Sequence, residues 1–528
     1  MADVEQVEHA VAVDDFPALV SQCSRSATAL RKPLDFLMRR HSCKSAPEDV
    51  RLQTEVHSTA RRNPSEEVAV ANEFAPDACE GSSAYLISHY WGCRWAGGAA
   101  SPMSSLRAFD TSMQSSSTPL TACRACGSSG LIRVVDLGEQ HLTGVFPRTP
   151  KEEISRGPLR LVWCDQCGLV QLDHSFNAAE MYGDNYGYRS GLNRSMVEHL
   201  QKKCHSLERM ARLQPGDFVI DIGSNDGTLL RSYQTAGLRK LGIDPTAGKF
   251  RPYYDEQSEL IVDFFSRQKI IESLGESALA SLITSIAMFY DLESPRAFIR
   301  DVRDTLTADG LWHFEQSYMP SMLRLNSYDT ICHEHLEFYS FTVVRDMLEA
   351  EGMKVVDVWM NSVNGGSFAV TAARQRSRHP EATSISSWLV DREAHLGLKN
   401  PAVYRDFERR VWEHRQELRS LIDSLNRSGK RIIGCGASTK GNVILQFCGI
   451  DSESLLAITD VNEEKWGRST PGTGIPIVSE QDGRALEPDY MLVLPWHFKE
   501  GIVQREREFL ERGGRLIFPL PEIEIVGY

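Results

Sequence analysis

The sequence lacks any hydrophobic run long enough to cross a lipid bilayer. Its longer apolar stretches, such as residues 281–290, are far short of the ~20 residues that a transmembrane helix needs. The first residues, MADVE, are acidic, whereas a secretory signal peptide begins with a basic segment. These absences predict a cytoplasmic protein with no membrane partner.

An excess of positive charge is also missing. The chain has 58 Lys and Arg residues against 71 Asp and Glu residues, which gives a net charge of −13. Because nucleic-acid surfaces use Lys and Arg to bind phosphates, we expect no nucleic-acid partner, although one local phosphate pocket is compatible with this balance. At 528 residues the chain is too long for one core and predicts about three or four folded units.

Disulfide patterning is absent, because most of the 12 cysteines stand singly within apolar runs. Four cysteines form an exception. Cys123 and Cys126 make one Cys-x-x-Cys pair, Cys164 and Cys167 make another, and a glycine follows each pair. Two such pairs are typical of a zinc ribbon, and four thiolates leave no coordination position for water. We therefore predict a structural Zn²⁺ ion.

Alternating strand and helix patterns after the cysteine pairs predict an α/β fold with a doubly wound parallel sheet. We expect a Rossmann-like middle domain between an N-terminal zinc-ribbon domain and a C-terminal Rossmann-like domain. The predicted ranges are a disordered extension (1–119), the zinc domain with a Tyr-rich loop (120–194), the middle domain (195–380), a solvated helical connection (381–430) and the C-terminal domain (431–528).

A glycine-rich turn follows a predicted strand at residues 219–227, VIDIGSNDG. Glycines allow the backbone to turn sharply and approach a ligand, and an acidic residue at the end of the next strand accepts hydrogen bonds from ribose. The DxGxxxG spacing favours S-adenosylmethionine over a dinucleotide. The predicted cofactor-binding residues are Asp221, Gly223, Asn225, Asp226, Gly227 and Asp244.

A second glycine-rich turn, GCGASTKG at residues 434–441, also follows a predicted strand. Backbone amides, hydroxyls and one ammonium at a helix N-terminus suit a phosphate or pyrophosphate. This turn would hold a second nucleotide attached to the substrate, while a domain without a ligand is the alternative. The predicted nucleotide-binding residues are Gly434, Gly436, Ser438, Thr439, Lys440 and Asp460.

The octapeptide CHEHLEFY at residues 332–339 crowds two imidazoles, two carboxylates and a phenol into one segment. It follows a strand predicted to end at Glu315, and ligands of parallel sheets bind outside the carboxyl ends of strands. His333 and His335 are two residues apart and cannot share a helix face, which excludes the His-Glu-x-x-His metalloprotease motif. The segment therefore predicts proton-transfer chemistry.

From about Thr121 to Tyr528 the chain resembles the three-domain S-adenosylmethionine-dependent sugar C-methyltransferases. The resemblance covers the folded region and none of the extension. It rests on the order of the two Cys-x-x-Cys pairs, the Tyr-rich loop YGDNYGYRS at 182–190, the first glycine-rich turn, Glu334-His335, Gly365-Gly366, the second glycine-rich turn, FCGI at 447–450 and TPG at 470–472.

The resemblance implies methyl transfer to a carbon of a nucleotide-linked keto-deoxysugar. The middle domain would be a Rossmann-like methyltransferase domain that binds S-adenosylmethionine, and the C-terminal domain would be a Rossmann-like nucleotide-binding domain. His335 would be the base and Glu334 its neighbour at the sugar, while Tyr186 or Tyr188 would reach in from the zinc domain. An imidazole with a pKa near ~6.5 is matched to remove a proton beside a ketone. His333 and the two tyrosines are candidate donors to the resulting enolate.

One departure concerns the residue three positions before the base, which is a tyrosine in antibiotic-sugar members of the family and Cys332 here. Two other functions remain open at this point. One is a sugar-nucleotide binding or scaffolding protein without catalysis. The other is a zinc-ribbon RNA methyltransferase, which would need a basic face.

Overall fold

The computed structural model describes residues 117–149, 152–182 and 188–528. The predicted disordered extension lies outside these residues except for its last three, Ser117–Pro119. These three form a strand that pairs antiparallel with His174–Phe176. The folded region therefore begins before the predicted boundary at residue 119.

No helix in the part of the chain that the structure describes combines the length and the apolar character needed to span a bilayer.

The zinc domain is a small antiparallel sheet with two cysteine turns. Each turn ends at a glycine with a positive φ, Gly127 at +74° and Gly168 at +85°, and the two amides donate to the carbonyls of Cys123 and Cys164. Such a backbone favours glycine, which explains the glycine after each pair. The elements are β1 (Ser117–Pro119), β2 (Leu131–His141), β3 (Arg156–Cys164), β4 (Val170–Leu172), β5 (His174–Phe176) and α1 (Ala178–Met181).

The middle domain is built on a seven-stranded sheet, as the alternating pattern predicts. Its elements are α2 (Arg194–Ala211), β6 (Phe218–Ile222), β7 (Arg239–Ile243), α3 (Ala247–Phe250), β8 (Ser258–Ile261), α4 (Arg267–Leu274), β9 (Ala280–Ile286), α5 (Pro295–Thr305), β10 (Leu306–Ser317), α6 (Met319–Arg324), β11 (Glu337–Phe338), α7 (Phe341–Ala350), β12 (Met353–Asn361) and β13 (Ser367–Arg374). The strand order is β12-β13-β10-β9-β6-β7-β8. All neighbours are parallel except β13, which is antiparallel to both β10 and β12. Every residue of β6 is buried, as its apolar run predicts.

Two helices form the connection, α8 (Thr383–His395) and α9 (Pro401–Arg427). The interpretation of residues 381–430 as a solvated connection is wrong for one face of α9. Its buried positions recur every three or four residues, and apolar side chains of this face belong to the same core as the C-terminal strands. These positions are Tyr404, Phe407, Val411, His414, Leu418 and Ile422.

The C-terminal domain repeats the Rossmann-like pattern. Its elements are β14 (Ile432–Cys435), α10 (Thr439–Cys448), β15 (Ile458–Thr459), β16 (Ile477–Val478), α11 (Glu480–Ala485), β17 (Tyr490–Val493), α12 (Lys499–Arg505), α13 (Arg507–Glu511), β18 (Arg515–Phe518) and β19 (Glu524–Val526). The strand order is β16-β15-β14-β17-β18-β19, with only β19 antiparallel to its neighbour.

The three domains share contacts around the octapeptide. Its strand β11 pairs antiparallel with β4 and so completes the zinc-domain sheet, whose order is β11-β4-β3-β2. From the C-terminal domain, Gln446 on α10 accepts from the amide of His141 at 2.8 Å and donates to its carbonyl at 3.2 Å. Asn442 on the same helix donates to the carbonyl of Thr143 at 2.7 Å. The segment with the predicted base therefore lies where all three domains meet.

Candidate active site

The backbone of the octapeptide is fixed from two sides. The amides of Leu336 and Glu337 both donate to the carbonyl of Tyr290, at 2.8 and 3.0 Å. On the zinc-domain side, the amide of Leu172 donates to the carbonyl of Leu336 at 2.9 Å. A loop held by main-chain bonds to two domains keeps its side chains in place without the substrate.

His335 has a defined tautomer. Its Nδ1 lies 2.8 Å from the carbonyl oxygen of Thr330. A carbonyl oxygen only accepts hydrogen bonds, so Nδ1 carries the proton and Nε2 carries the lone pair. The ring lies against Tyr290, with the ring centroids 4.3 Å apart. Nε2 is therefore the nitrogen that can accept a proton.

The surroundings keep the imidazole of His335 neutral. Burial is the largest cause that lowers its pKa from 6.5 to about 4, and the positive charge of Lys440 is the second, while the bond to Thr330 opposes them. The pKa near 6.5 assumed from the sequence is therefore wrong for the ligand-free protein. The ring is unprotonated at neutral pH, and protonation is unfavourable until a negative charge forms beside it.

Glu334 lies between the zinc domain and the C-terminal domain. Its carboxyl group is buried against Gly144, where an added Cβ would collide with Oε1. The same Cβ would lie 3.5 Å from the Oγ1 of Thr439. Burial raises the pKa of Glu334, and hydrogen bonds from its own backbone, Cys332 and Gly144 oppose this. The role of Glu334 beside the sugar stays a prediction.

His333 points in a different direction from His335. The amide of His335 donates to the carbonyl of Cys332 at 3.1 Å, and this turn separates the two rings. The ring of His333 is fully buried and packs edge-on against Phe176 of β5, with centroids 4.7 Å apart. Its role as an enolate donor stays a prediction, and its observed neighbours belong to the zinc domain.

The two predicted tyrosines differ in what the structure describes. Tyr186 lies outside the described residues. Tyr188 has 48% of its surface exposed, and its carbonyl accepts from the Nδ2 of Asn225 at 3.2 Å. The backbone of Tyr188 is therefore next to the first glycine-rich turn.

The first glycine-rich turn lies at the carboxyl end of β6, beside the end of β7. Gly223 and Gly227 have φ values of +72° and +71°. Asp221 accepts from the Oγ1 of Thr284 at 2.6 Å, and burial raises the pKa of Asp221 to about 7. Asp244, at the end of β7, accepts from the amide of Asn225 at 2.8 Å. The acidic side chain predicted for ribose is thus held directly against the turn.

Asn225 and Asp226 hold the segment that leads into α2. The Oδ1 of Asn225 accepts from the amide of Ser190, and the Oδ2 of Asp226 accepts from the amide of Gly191, both at 3.0 Å. Asp226 also accepts from the hydroxyl of Thr228 at 2.6 Å. The two side chains predicted to bind the cofactor therefore also fix the chain that covers the turn.

Residues in the second glycine-rich turn are engaged mostly within the C-terminal domain. Cβ atoms added at Gly434 and Gly436 would collide with Ile458 and Pro495. Ser438 accepts from the amide of Gly441 at 3.0 Å and caps α10, and Asp460 accepts from the amide of Ala437 at 2.8 Å. The Oγ1 of Thr439 lies 3.5 Å from the Cβ that would be added at Gly144, and burial and then the charge of Lys440 lower the pKa of His335.

Sequence reasoning missed two residues of this junction. Asp329 is completely buried one residue before Thr330, and its Oδ2 accepts from the Nε1 of Trp496 at 2.8 Å. Asp329 could have been predicted as a site residue from the sequence, because it is an acidic residue only three positions before the octapeptide. Trp496 follows β17 and could not have been predicted from the sequence, because Trp496 and Asp329 are 167 residues apart in the chain.

The four predicted zinc ligands come together. Their sulfur atoms all lie within 4.8 Å of one another. Sγ atoms of Cys123 and Cys167 are 3.5 Å apart, and those of Cys126 and Cys164 are 3.6 Å apart. Because zinc–thiolate bonds of about 2.3 Å in a tetrahedron separate the sulfurs by roughly 3.8 Å, the cluster fits Zn²⁺. It has the full ligand set of a structural site.

Three family models match consecutive parts of the chain. A zinc binding domain matches residues 123–182, a methyltransferase domain matches residues 196–358, and a C-methyltransferase C-terminal domain matches residues 362–521. These matches follow the order of the three domains, and the C-terminal model also includes β13 of the middle sheet and the two connecting helices.

A curated relative extends over nearly the whole described region. The C-methyltransferase NovU from Streptomyces niveus is 31% identical over 418 residues, which cover 78% of this chain and 99% of NovU.

Solved structures resemble a smaller part of the chain. Magnesium protoporphyrin IX methyltransferase from Synechocystis PCC 6803 with bound SAH is 17% identical over 37% of this chain and 91% of its own, with a TM-score of 0.27. The 1,6-didemethyltoxoflavin-N1-methyltransferase of Burkholderia thailandensis is 11% identical over 40% and 95% of the two chains, with a TM-score of 0.29.

The relative and the family models agree on one chemistry. The zinc binding model covers the cysteine cluster, and the methyltransferase model covers the first glycine-rich turn. The chain belongs to the S-adenosylmethionine-dependent C-methyltransferases with a zinc-binding domain, a methyltransferase domain and a C-methyltransferase C-terminal domain.

Proposed function

We propose that this C-methyltransferase acts on a nucleoside-diphosphate keto-deoxysugar and methylates the carbon next to its ketone. The observation that carries the mechanism is the bond from the Nδ1 of His335 to the carbonyl of Thr330. It leaves Nε2 as an oriented base in a segment that three domains hold. A reaction that begins with removal of a carbon-bound proton needs such a base.

The C-terminal domain supports a nucleotide-linked substrate. The C-terminal domain has a second Rossmann-like sheet. A Cβ added at Gly144 would collide with the Oε1 of Glu334 and lie 3.5 Å from the Oγ1 of Thr439 in the second glycine-rich turn. One substrate with a sugar at one end and a nucleotide at the other would use both domains. The acidic net charge gives no support to an RNA substrate.

The first step is proton removal. The Nε2 of His335 takes the proton from the carbon next to the ketone, and the electron pair of that carbon–hydrogen bond moves towards the carbonyl oxygen. The product is an enolate, which fixed hydrogen-bond donors stabilise. The main-chain bond at Nδ1 stabilises the imidazolium that forms.

The second step is formation of the carbon–carbon bond. When bound, S-adenosylmethionine supplies a methyl group on a positively charged sulfur. The first glycine-rich turn and Asp244 would hold the cofactor, and the enolate carbon would take this methyl group while the electron pair of the carbon–sulfur bond stays on sulfur. The chain contributes alignment and exclusion of water, and His335 then returns its proton to solvent.

Methyl-labelled S-adenosylmethionine and a panel of nucleoside-diphosphate 3-keto and 4-keto deoxysugars would test the substrate class. We expect label on a carbon next to the ketone, located by NMR. In deuterium oxide the enzyme should also exchange the hydrogen at that carbon. His335→Asn should lower both rates by roughly 10²- to 10⁴-fold, because it removes the base.

The matched control is His395→Asn, since His395 is exposed in the last turn of α8. It should leave both rates unchanged. A wild-type rate of deuterium exchange in His335→Asn would refute the assignment of His335 as the base. Transfer of the labelled methyl group to an oxygen atom, or to none of the sugars in the panel, would refute the substrate class.

A further inference from the structure

A short 3₁₀ turn supplies the main-chain oxygen that orients the base. The turn consists of Tyr328–Thr330, and all three of its residues are buried. The carbonyl of Thr330, at the end of the turn, accepts from the Nδ1 of His335 at 2.8 Å and from the amide of Cys332 at 3.1 Å. The direction of the imidazole therefore depends on the position of this turn.

The first residue of the turn, Tyr328, is bonded to a histidine of the connecting helix α9. The phenolic oxygen of Tyr328 lies 3.0 Å from the Nδ1 of His414, and the Nε2 of His414 lies 2.5 Å from the carbonyl oxygen of Pro519, after β18. A carbonyl oxygen only accepts, so Nε2 carries the proton of this ring. Burial lowers the pKa of His414, which keeps the ring neutral and leaves a lone pair on Nδ1. Tyr328 therefore donates its hydrogen to His414.

The C-terminal domain contacts the same phenol. The thiol of Cys448, in the last turn of α10, lies 3.4 Å from the oxygen of Tyr328. Because the phenol gives its hydrogen to His414, the thiol is the donor in this contact. The ring of Tyr328 also packs edge-on against Phe447, with centroids 5.3 Å apart. Connected hydrogen bonds in a protein interior polarise one another, so this chain favours one arrangement of Tyr328.

The middle residue of the turn is held from the same part of the chain. The Oδ2 of Asp329 accepts from the Nε1 of Trp496, which follows β17, at 2.8 Å. Within the turn, the Oγ1 of Thr330 donates to the carbonyl of Ser327 at 2.8 Å. The turn that orients His335 is therefore fixed by side chains of the connecting helix and of the C-terminal domain.

We propose that Tyr328 and His414 are positioning residues for the reaction, because their hydrogen bond holds the carbonyl of Thr330 where it orients His335. The role rests on the proposed function, in which His335 is the base. The Nε2 of that base must point at one carbon–hydrogen bond, and a displacement of about 1 Å lowers the rate of proton removal even when the substrate still binds. Residues outside the methyltransferase sheet thus control the direction of its base.

The test compares Tyr328→Phe and His414→Leu with the control Tyr404→Phe. Tyr404 is buried on the same helix as His414, and its hydroxyl donates to the carbonyl of Leu398 at 2.8 Å, so the control loses a bond of the same kind. We expect Tyr328→Phe and His414→Leu to lower kcat and deuterium exchange by roughly 10- to 100-fold, with KM changed less than threefold. Tyr404→Phe should keep the wild-type kcat, although both Tyr→Phe variants should lower the urea midpoint of unfolding similarly.

Two further measurements separate positioning from folding. The double variant Tyr328→Phe/His414→Leu should be no slower than the slower single variant, since both changes remove the same bond. His414→Gln, whose amide oxygen can accept from Tyr328, should recover part of the rate. Nitrogen NMR of the substrate-free enzyme should show His335 protonated on Nδ1 in the wild type. In Tyr328→Phe the population protonated on Nε2 should rise, because the carbonyl that selects Nδ1 is displaced.

Several results would overturn the proposal: a wild-type kcat in Tyr328→Phe, an equal loss of kcat in Tyr404→Phe, or an unchanged tautomer of His335 in Tyr328→Phe. If His414→Leu does not fold, Tyr328→Phe and His414→Gln decide the matter. A wild-type enzyme that neither exchanges nor methylates any keto sugar would instead overturn the proposed function. The NMR measurement needs no substrate, so it would still show whether the turn orients the ring.

Discussion

The guanidinium of Arg124 donates through Nη1 to the main-chain oxygen of Leu172 at 2.7 Å. Arg124 lies inside the first cysteine turn of the zinc domain, and the amide of Leu172 donates to Leu336 in the octapeptide. The zinc-binding turn is therefore only two hydrogen bonds away from the residue that follows His335. Strand β4 therefore contacts both the zinc-binding turn and the segment that contains His335.

Arg124→Met should reduce catalysis without emptying the metal site. The change removes donors to Leu172, His174 and Ser175, and each buried acceptor left alone costs about 1–3 kcal/mol. We expect kcat to fall by roughly 10- to 100-fold as β4 and β11 shift. Zinc content by atomic emission and S-adenosylmethionine affinity by calorimetry should be preserved. Arg133→Met, on an exposed part of β2, is the control; equal loss in both variants would contradict the coupling.

Gly144→Ala should displace Glu334. A Cβ at this position collides with the Oε1 of Glu334, which can move because it is the end of a side chain. We expect stability to change by no more than about 1 kcal/mol, whereas kcat should fall by roughly 100-fold if the carboxyl group adjoins the sugar. Gly501→Ala, whose Cβ would meet no atom within 4 Å, is the matched control. A wild-type kcat in Gly144→Ala would show that Glu334 has no role in the active site.

The pH profile of kcat/KM reports the base in the free enzyme. Because burial and then Lys440 lower the pKa of His335 to about 4, the acid limb should be centred near that pH and not near 6.5. The rate should stay level as pH falls from about 8 to about 5. In Lys440→Met the limb should move to higher pH. If the acid limb of the wild-type profile were centred at pH 6.5, the imidazole of His335 would not be desolvated.

His333 should make the folded protein sensitive to acid. Its pKa is lowered from 6.5 to about 4, chiefly by burial, so between these values the unfolded chain binds a proton that the folded chain does not. The free energy of unfolding is therefore unaffected above pH 6.5 and falls as pH drops from 6.5 towards 4, by about 3 kcal/mol in total. Denaturant titrations at several pH values should show a smaller fall in His333→Gln. Equal slopes in both proteins would refute the assignment.

Local patterns in the sequence were sufficient for much of the fold. Four apolar residues around Asp221 predict β6. Each zinc turn needs only two cysteines and a glycine. The buried face of α9 was also readable, because Phe407, Val411, His414, Leu418 and Ile422 recur every three or four residues. The dense Arg and Glu residues on the opposite face obscured it.

The site depended on contacts that no local pattern encodes. The pairing of Glu337 with Gln171 joins residues 166 positions apart, and a sequence predicts such pairing poorly because either strand could pair elsewhere. The nearness of His333 and His335 in the sequence also did not predict where each ring lies. The turn from Cys332 to His335 sends the two rings into different domains.

The strand pairing of β11 with β4 limits which segments can be exchanged between related proteins in a chimera. A chimera that replaces the zinc domain alone would leave a foreign partner beside residues 337–338, and one that replaces the methyltransferase domain alone would do the same to residues 170–171. The unit that can be transplanted is therefore discontinuous, consisting of the zinc domain together with residues 330–339. Recombination boundaries drawn at the domain linkers would cut through it.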